Sequence, residues 1–192
     1  MIRKTVLATL AGVAITQPMA GSAADFGSGN LTFSATVTEA PCSLSAGDGN
    51  MVIDLGQISQ RDLNGQDKFS ASVPIDIHLT SCAFAADTGA GANPNGKLSK
   101  AAVQFVGNFH NASLGKLINT GTAKSVGIQL LGSDNNTPLV GGLALTAANA
   151  QQLSGASAVL RYFARLSVLG GPGSASTPGS ISASVTYALT YF

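Results

Sequence analysis

Few side chains in this 192-residue protein could do chemistry. There are two cysteines, Cys42 and Cys82, two histidines, His78 and His110, and a single glutamate, Glu39. The thiols could bind a metal, attack a substrate or oxidise to a disulfide. Metal binding calls for ligands at short spacing such as C-x-x-C, and no such pair exists. His78 sits in the alternating stretch SVPIDIHL and His110 in the turn-like FHNAS, and no nucleophile motif, including G-x-S-x-G, accompanies either. Paired-carboxylate chemistry would rest on aspartates, which fall mostly in turns where Asp caps its own backbone. Residues 91–98, GANPNGKL, have the glycine spacing and lysine of a phosphate loop. Leu98 replaces the required Ser or Thr, Pro94 interrupts the loop, and no apolar strand precedes it. The sequence therefore predicts no enzyme, and no catalytic, cofactor-binding or metal-binding residues.

The chemistry left to the cysteines depends on where the chain goes. Arg3 and Lys4 precede an apolar run, 6–15 (VLATLAGVAI), and Gly21, Ser22, Ala23 and Ala24 supply a small-residue cleavage site. This pattern is that of a secretory leader covering 1–24, cut after Ala23 or Ala24. Gln17 and Pro18 end the run well short of the ~20 apolar residues that a membrane anchor needs. In an exported protein an even pair of cysteines reads as a disulfide, Cys42 to Cys82. Without Arg3 and Lys4 there remain 8 basic against 9 acidic side chains, so nothing electrostatic favours nucleic acid or an anionic membrane. Only 10% of residues are charged and 45% are apolar, which argues for a packed domain without stable membrane insertion.

The elements that must position these residues are strands. Period-2 alternation or apolar β-formers mark 29–38, 51–55 (MVIDL), 72–79 (SVPIDIHL), 101–106 (AAVQFV), 126–131 (VGIQLL), 160–168 (LRYFARLSV) and 179–192. Gly, Pro, Asn and Asp punctuate the gaps at 45–50, 64–68, 87–96, 132–138 and 170–179. Short strands so spaced predict an all-β sandwich. The segment 143–154, LALTAANAQQLS, reads as a loop with one helix-compatible turn.

The two cleanest alternations lie near the two ends. In GNLTFSATVTEAPC (29–42), Gly29, Leu31, Phe33, Ala35 and Val37 share one face, with Asn30, Thr32, Ser34, Thr36 and Thr38 on the other. In GSISASVTYALTYF (179–192), Ile181, Ala183, Val185, Tyr187, Leu189 and Tyr191 share a face opposite Ser and Thr. On alternation alone both could belong to one closed sandwich and pair with each other.

These residues resemble the type 1-like fimbrial subunits, the pilins of the chaperone–usher pathway. The resemblance spans essentially the whole chain after residue 24. It rests on GNLTFSATVTEAPC leading into the first cysteine, the Cys42–Cys82 spacing, SVPIDIHLTSC running into the second, and LRYFAR at 160–165. Gly179, fourteen residues from the end, and the penultimate Tyr191 complete it, with aromatic Phe192 where relatives are often polar.

The resemblance implies an incomplete immunoglobulin-like β-sandwich lacking its final strand and completed in trans by donor-strand exchange. It implies a donor extension at 25–41 using Gly29, Leu31, Phe33, Ala35 and Val37, and a sandwich domain at 42–192. The acceptor groove and chaperone-binding strand would use Gly179, Ile181, Val185, Tyr187, Leu189, Tyr191 and Phe192. The implied partners are neighbouring pilin subunits, a periplasmic chaperone, an outer-membrane usher and a host receptor. The implied role is a structural subunit of a surface fimbria that contributes to cell adhesion. The alternative is a minor adaptor or tip subunit that itself binds a host glycan; such a subunit would be scarce in sheared filaments.

Overall fold

Alternating stretches rich in Val, Ile, Leu and Tyr place one row of side chains inward and the next outward, and they form antiparallel ladders here. The computed structural model describes residues 30–35, 37, 40–171 and 173–192. The leader expected at 1–24 and Gly29 of the expected donor face lie outside the described residues. The chain divides into two compact units, Met1–Val37 and Thr38–Phe192. In the first, residues 30–35 and 37 form no helix or strand, and Leu31, Phe33 and Val37 are 81, 86 and 98% exposed.

The second unit contains, among the described residues, strands β1 (Ser43–Leu44), β2 (Val73–Thr80), β3 (Lys100–Gly107), β4 (Phe109–Asn111), β5 (Lys116–Leu117), β6 (Val126–Leu131), β7 (Gln151–Gln152), β8 (Ala158–Val168) and β9 (Val185–Tyr191). Three 3-10 turns, Ala46–Asn50, Gln60–Leu63 and Ala112–Leu114, interrupt them, and no α-helix occurs among the described residues. One sheet has the order β1-β2-β8-β6-β5-β4 and the other β7-β3-β9, all antiparallel.

The core lies between the sheets. Ile75, Ile77 and Leu79 of β2 and Leu160, Tyr162 and Ala164 of β8 pack with Ala101, Val103 and Phe105 of β3. The Phe105 and Tyr162 rings meet edge to face with centroids 5.5 Å apart. The Tyr162 hydroxyl accepts the Val103 N–H at 3.2 Å, satisfying a polar group inside the sandwich. A second cluster gathers Leu63, Ala123, Val126, Leu166 and Val168, with Leu55, Ile58, Ile128 and Ile181 at its margin. Cys42 and Cys82 are joined in a disulfide with Cα atoms 4.1 Å apart. It fastens the chain before β1 to the chain after β2, and closing a loop with a separation of 40 residues stabilises the fold by about 4 kcal/mol on chain-entropy grounds.

Three local expectations change. Residues 51–55 alternate as expected, with Met51, Ile53 and Leu55 half-buried, yet they join no ladder. Residues 143–154 hold a single hydrogen-bonded turn, the Asn149 N–H to the Thr146 carbonyl at 3.2 Å, but they are not all loop: Gln151–Gln152 form β7 against β3. The final strand begins at Val185, because 180–182 are held by side chains and backbone of the 119–123 loop.

Candidate functional site

The backbone parity of β9 defines the site. Lys100 and Phe192 exchange both backbone hydrogen bonds, at 3.1 and 2.9 Å. In an antiparallel ladder such pairs recur every second residue, so Thr190, Ala188 and Thr186 also turn their polar groups to β3. Val185, Tyr187, Leu189 and Tyr191 then turn theirs the other way. Farther back, the Ser182 carbonyl accepts the Thr120 N–H at 2.8 Å and the Ser182 N–H bonds Asn119 Oδ1 at 2.8 Å. The Ser180 carbonyl accepts the Ala123 N–H at 3.1 Å, and its N–H bonds Thr122 Oγ1 at 2.9 Å. Gly179 is needed at this crossing, since a Cβ there would lie 2.5 Å from the Ala123 nitrogen. Ser182, Thr186, Ala188 and Thr190 are thus bonded on one side, and the odd residues of 181–191 present N–H and C=O to an edge with no strand beside it among the described residues.

Facing that edge is 51–58. Its backbone joins no ladder, and the Gly56 N–H closes locally on Asp54 Oδ1 at 2.8 Å. Val52 points outward, 92% exposed, while Met51, Ile53 and Leu55 point back to the core. Between the two walls runs a groove in two connected stretches of about 840 and 510 Å³ that share Met51 and Ile53. Ile75 and Phe105 floor one end, and Leu63, Val126, Ile128 and Leu166 the other. From Ile181 to Tyr191 the edge is roughly 33 Å long at the usual rise of a strand.

The structure brings most of the expected acceptor residues together. Ile181, Val185, Tyr187 and Leu189 line the groove on one face and are all half-buried; Gly179 lines its end. Tyr191 follows in the same row, while Phe192 pairs with Lys100. Burial holds the Tyr187 and Tyr191 hydroxyls above the usual tyrosine range, with the Asp48 charge adding to the effect on Tyr187. The disulfide lies ahead of β1, joining Cys42 to Cys82 beyond the end of β2. His78 lies on the outer face of β2, hydrogen-bonded to Asp48, and His110 on the short β4. Sequence reasoning missed the second wall. Met51, Ile53 and Leu55 carry the signal of a strand, but alternation does not say that a strand lacks a neighbour.

Comparison with known proteins points one way. The family model described as fimbrial protein matches residues 31–191. The chain is similar to the Pap fimbrial major pilin protein of Escherichia coli, 32% identical over 86% of this chain and 84% of that one. It is 30% identical to the fimbrial-like protein YbgD of Escherichia coli K12, covering 98% of this chain and 97% of the relative. Among solved structures, a chaperone–usher pilus studied for rod uncoiling aligns at 29% identity and TM-score 0.67, over 93% of this chain and all (100%) of that one. The P pilus rod subunit PapA aligns at 27% identity and TM-score 0.61, over 80% of this chain and 100% of its own.

Proposed function

From the premise that the chain belongs to the fimbrial protein family and is an immunoglobulin-like pilus subunit of the chaperone–usher type, we propose that it polymerises by lending residues 25–41 to the groove of a neighbouring copy. The observation that carries this reading is the pair of walls without a strand partner among the described residues, 51–58 and the odd residues of 181–191, with an apolar floor between them. A bare edge of that kind invites another strand. Adding a strand to such an edge is β-augmentation, for which chaperone–pilin strand donation is a standing example.

The proposed donor suits the groove in length and chemistry. Five alternate positions, Gly29, Leu31, Phe33, Ala35 and Val37, span roughly 27 Å, against about 33 Å of edge. Burying Leu31, Phe33 and Val37 contributes roughly 5–9 kcal/mol at about 1.5–3 each, while ladder hydrogen bonds with the odd backbone groups fix the register. Gly29 leaves a gap in the row of bulky groups where an incoming strand can begin to displace an occupant. Ser and Thr on its other face remain wetted. Because each link runs head to tail and does not close, the product is a filament.

The same edge needs cover before polymerisation. In this reading the leader 1–24 is removed on export to the periplasm. A chaperone lends a strand and binds the C-terminal end at Tyr191 and Phe192. The exchange to the next subunit follows at an outer-membrane usher. The surface filament then contributes to cell adhesion, with any host receptor met there. Phe33→Arg tests the donor role, because it would drive a charge into an apolar groove. The variant is expected to accumulate as chaperone-bound subunit without filaments on electron micrographs; normal filaments would contradict the reading.

A further inference from the structure

One end of the groove is tied across the two sheets by a single residue. Asp48 lies in the 3-10 turn Ala46–Asn50, which leads directly into the 51–58 wall, and it is buried. Its carboxylate accepts the backbone N–H of His78 and lies 3.0 Å from His78 Nδ1, so the turn is held to β2. The Ser45 N–H, bonded to the His78 carbonyl at 2.9 Å, adds a second tie. The Asp48 carbonyl accepts the Tyr187 hydroxyl at 2.7 Å, so the same turn also holds β9. Tyr187 is a groove-lining residue whose backbone faces the free edge, and its ring packs beside Phe105 at 6.5 Å.

We propose that Asp48 is a positioning residue for strand binding, holding the 51–58 wall and the β9 edge at the spacing of one strand before the strand arrives. The inference rests on the proposed strand-accepting role of the groove. Two walls joined only through their distant connections would sample a range of separations, and a strand ordering them would spend part of its binding free energy doing so. Polar groups do this job here because a hydrogen bond fixes a direction and a distance, whereas the apolar wall residues Met51, Ile53 and Leu55 fix neither. The link is also sheltered. Asp48 is buried and the Tyr187 hydroxyl half-buried, so both bonds form where water competes poorly.

The test is a double-mutant cycle on strand affinity, read with a fluorescent peptide of residues 25–38 added to the refolded full chain. Asp48→Ala is expected to weaken the peptide about tenfold, the scale of a hydrogen bond to a charged group. Tyr187→Phe should weaken it about threefold to tenfold, as for a neutral hydrogen bond. The double variant should be no weaker than Asp48→Ala alone, and Asp48→Asn, which keeps an acceptor for His78 N–H, should restore most of the loss. Effects that multiply, or an unchanged affinity for either single variant, overturn the proposal. Where Asp48→Ala does not refold, Tyr187→Phe carries the test, since it removes one hydroxyl. If the unaltered chain does not bind the peptide, the strand-accepting reading of the groove falls first, and the role of Asp48 with it.

Discussion

The strands β2 and β9 share a pattern and differ in fate. Both alternate apolar and polar residues over seven or eight positions. Ile77 and Leu79 of β2 are 0% exposed, because β8 pairs along one edge, β1 reaches the other, and the opposite sheet covers them. Val185, Tyr187 and Leu189 of β9 are only half-buried, with β3 on one edge and a groove on the other. The difference is one of neighbours, not of hydrophobicity. On the proposed reading, the closed half of the sandwich carries the stability of the isolated chain, and the open half holds binding free energy in reserve.

That contrast can be broken or sharpened by substitution. The largest effect is expected from removing the disulfide, Cys42→Ser with Cys82→Ser, at about 4 kcal/mol by chain entropy, measured by denaturant unfolding. The loss should be accompanied by faster amide exchange in β1, which the bond ties to the end of β2. Leu160→Ala, in the fully closed region, should cost roughly 2–5 kcal/mol whether or not a donor peptide is bound. Leu189→Ala should separate the two states: about 1 kcal/mol in the peptide-free chain, rising toward the core value once the groove is filled. An equal cost in both states would show that β9 is already closed over.

The smallest effect concerns the Asp76–Arg161 pair on the outer face, joined by two hydrogen bonds at 2.6 and 2.7 Å. The Arg161 hydrogen bonds hold the Asp76 carboxyl below the usual carboxylate range. A depressed carboxylate stabilises the fold above its unfolded value near pH 4 and ceases to do so as pH falls through the lower, folded value. Arg161→Met should therefore lower Tm by less than about 2 °C at pH 7, and by nothing measurable near pH 2.

Much of this architecture was legible because alternation reports directly on which side chains face a core. The stretches at 72–79, 101–106, 126–131 and 160–168 correspond to β2, β3, β6 and β8 within a residue or two. The short β4, β5 and β7 carry too few alternating positions to show a period, and tertiary pairing decides them. His78 illustrates a deeper limit. Its place on the outer face of β2 follows from SVPIDIHL, but its bond to Asp48 joins residues far apart in sequence. The same holds for MVIDL, whose pattern is that of a strand although it joins no ladder.

The most direct measurement is the melting temperature of the full chain, refolded at a concentration too low for polymerisation, with and without a saturating peptide of residues 25–38. An open groove that binds the strand predicts a rise of at least about 10 °C. An unchanged Tm in saturating peptide would mean that the sandwich is complete by itself, and the account of its assembly would be wrong.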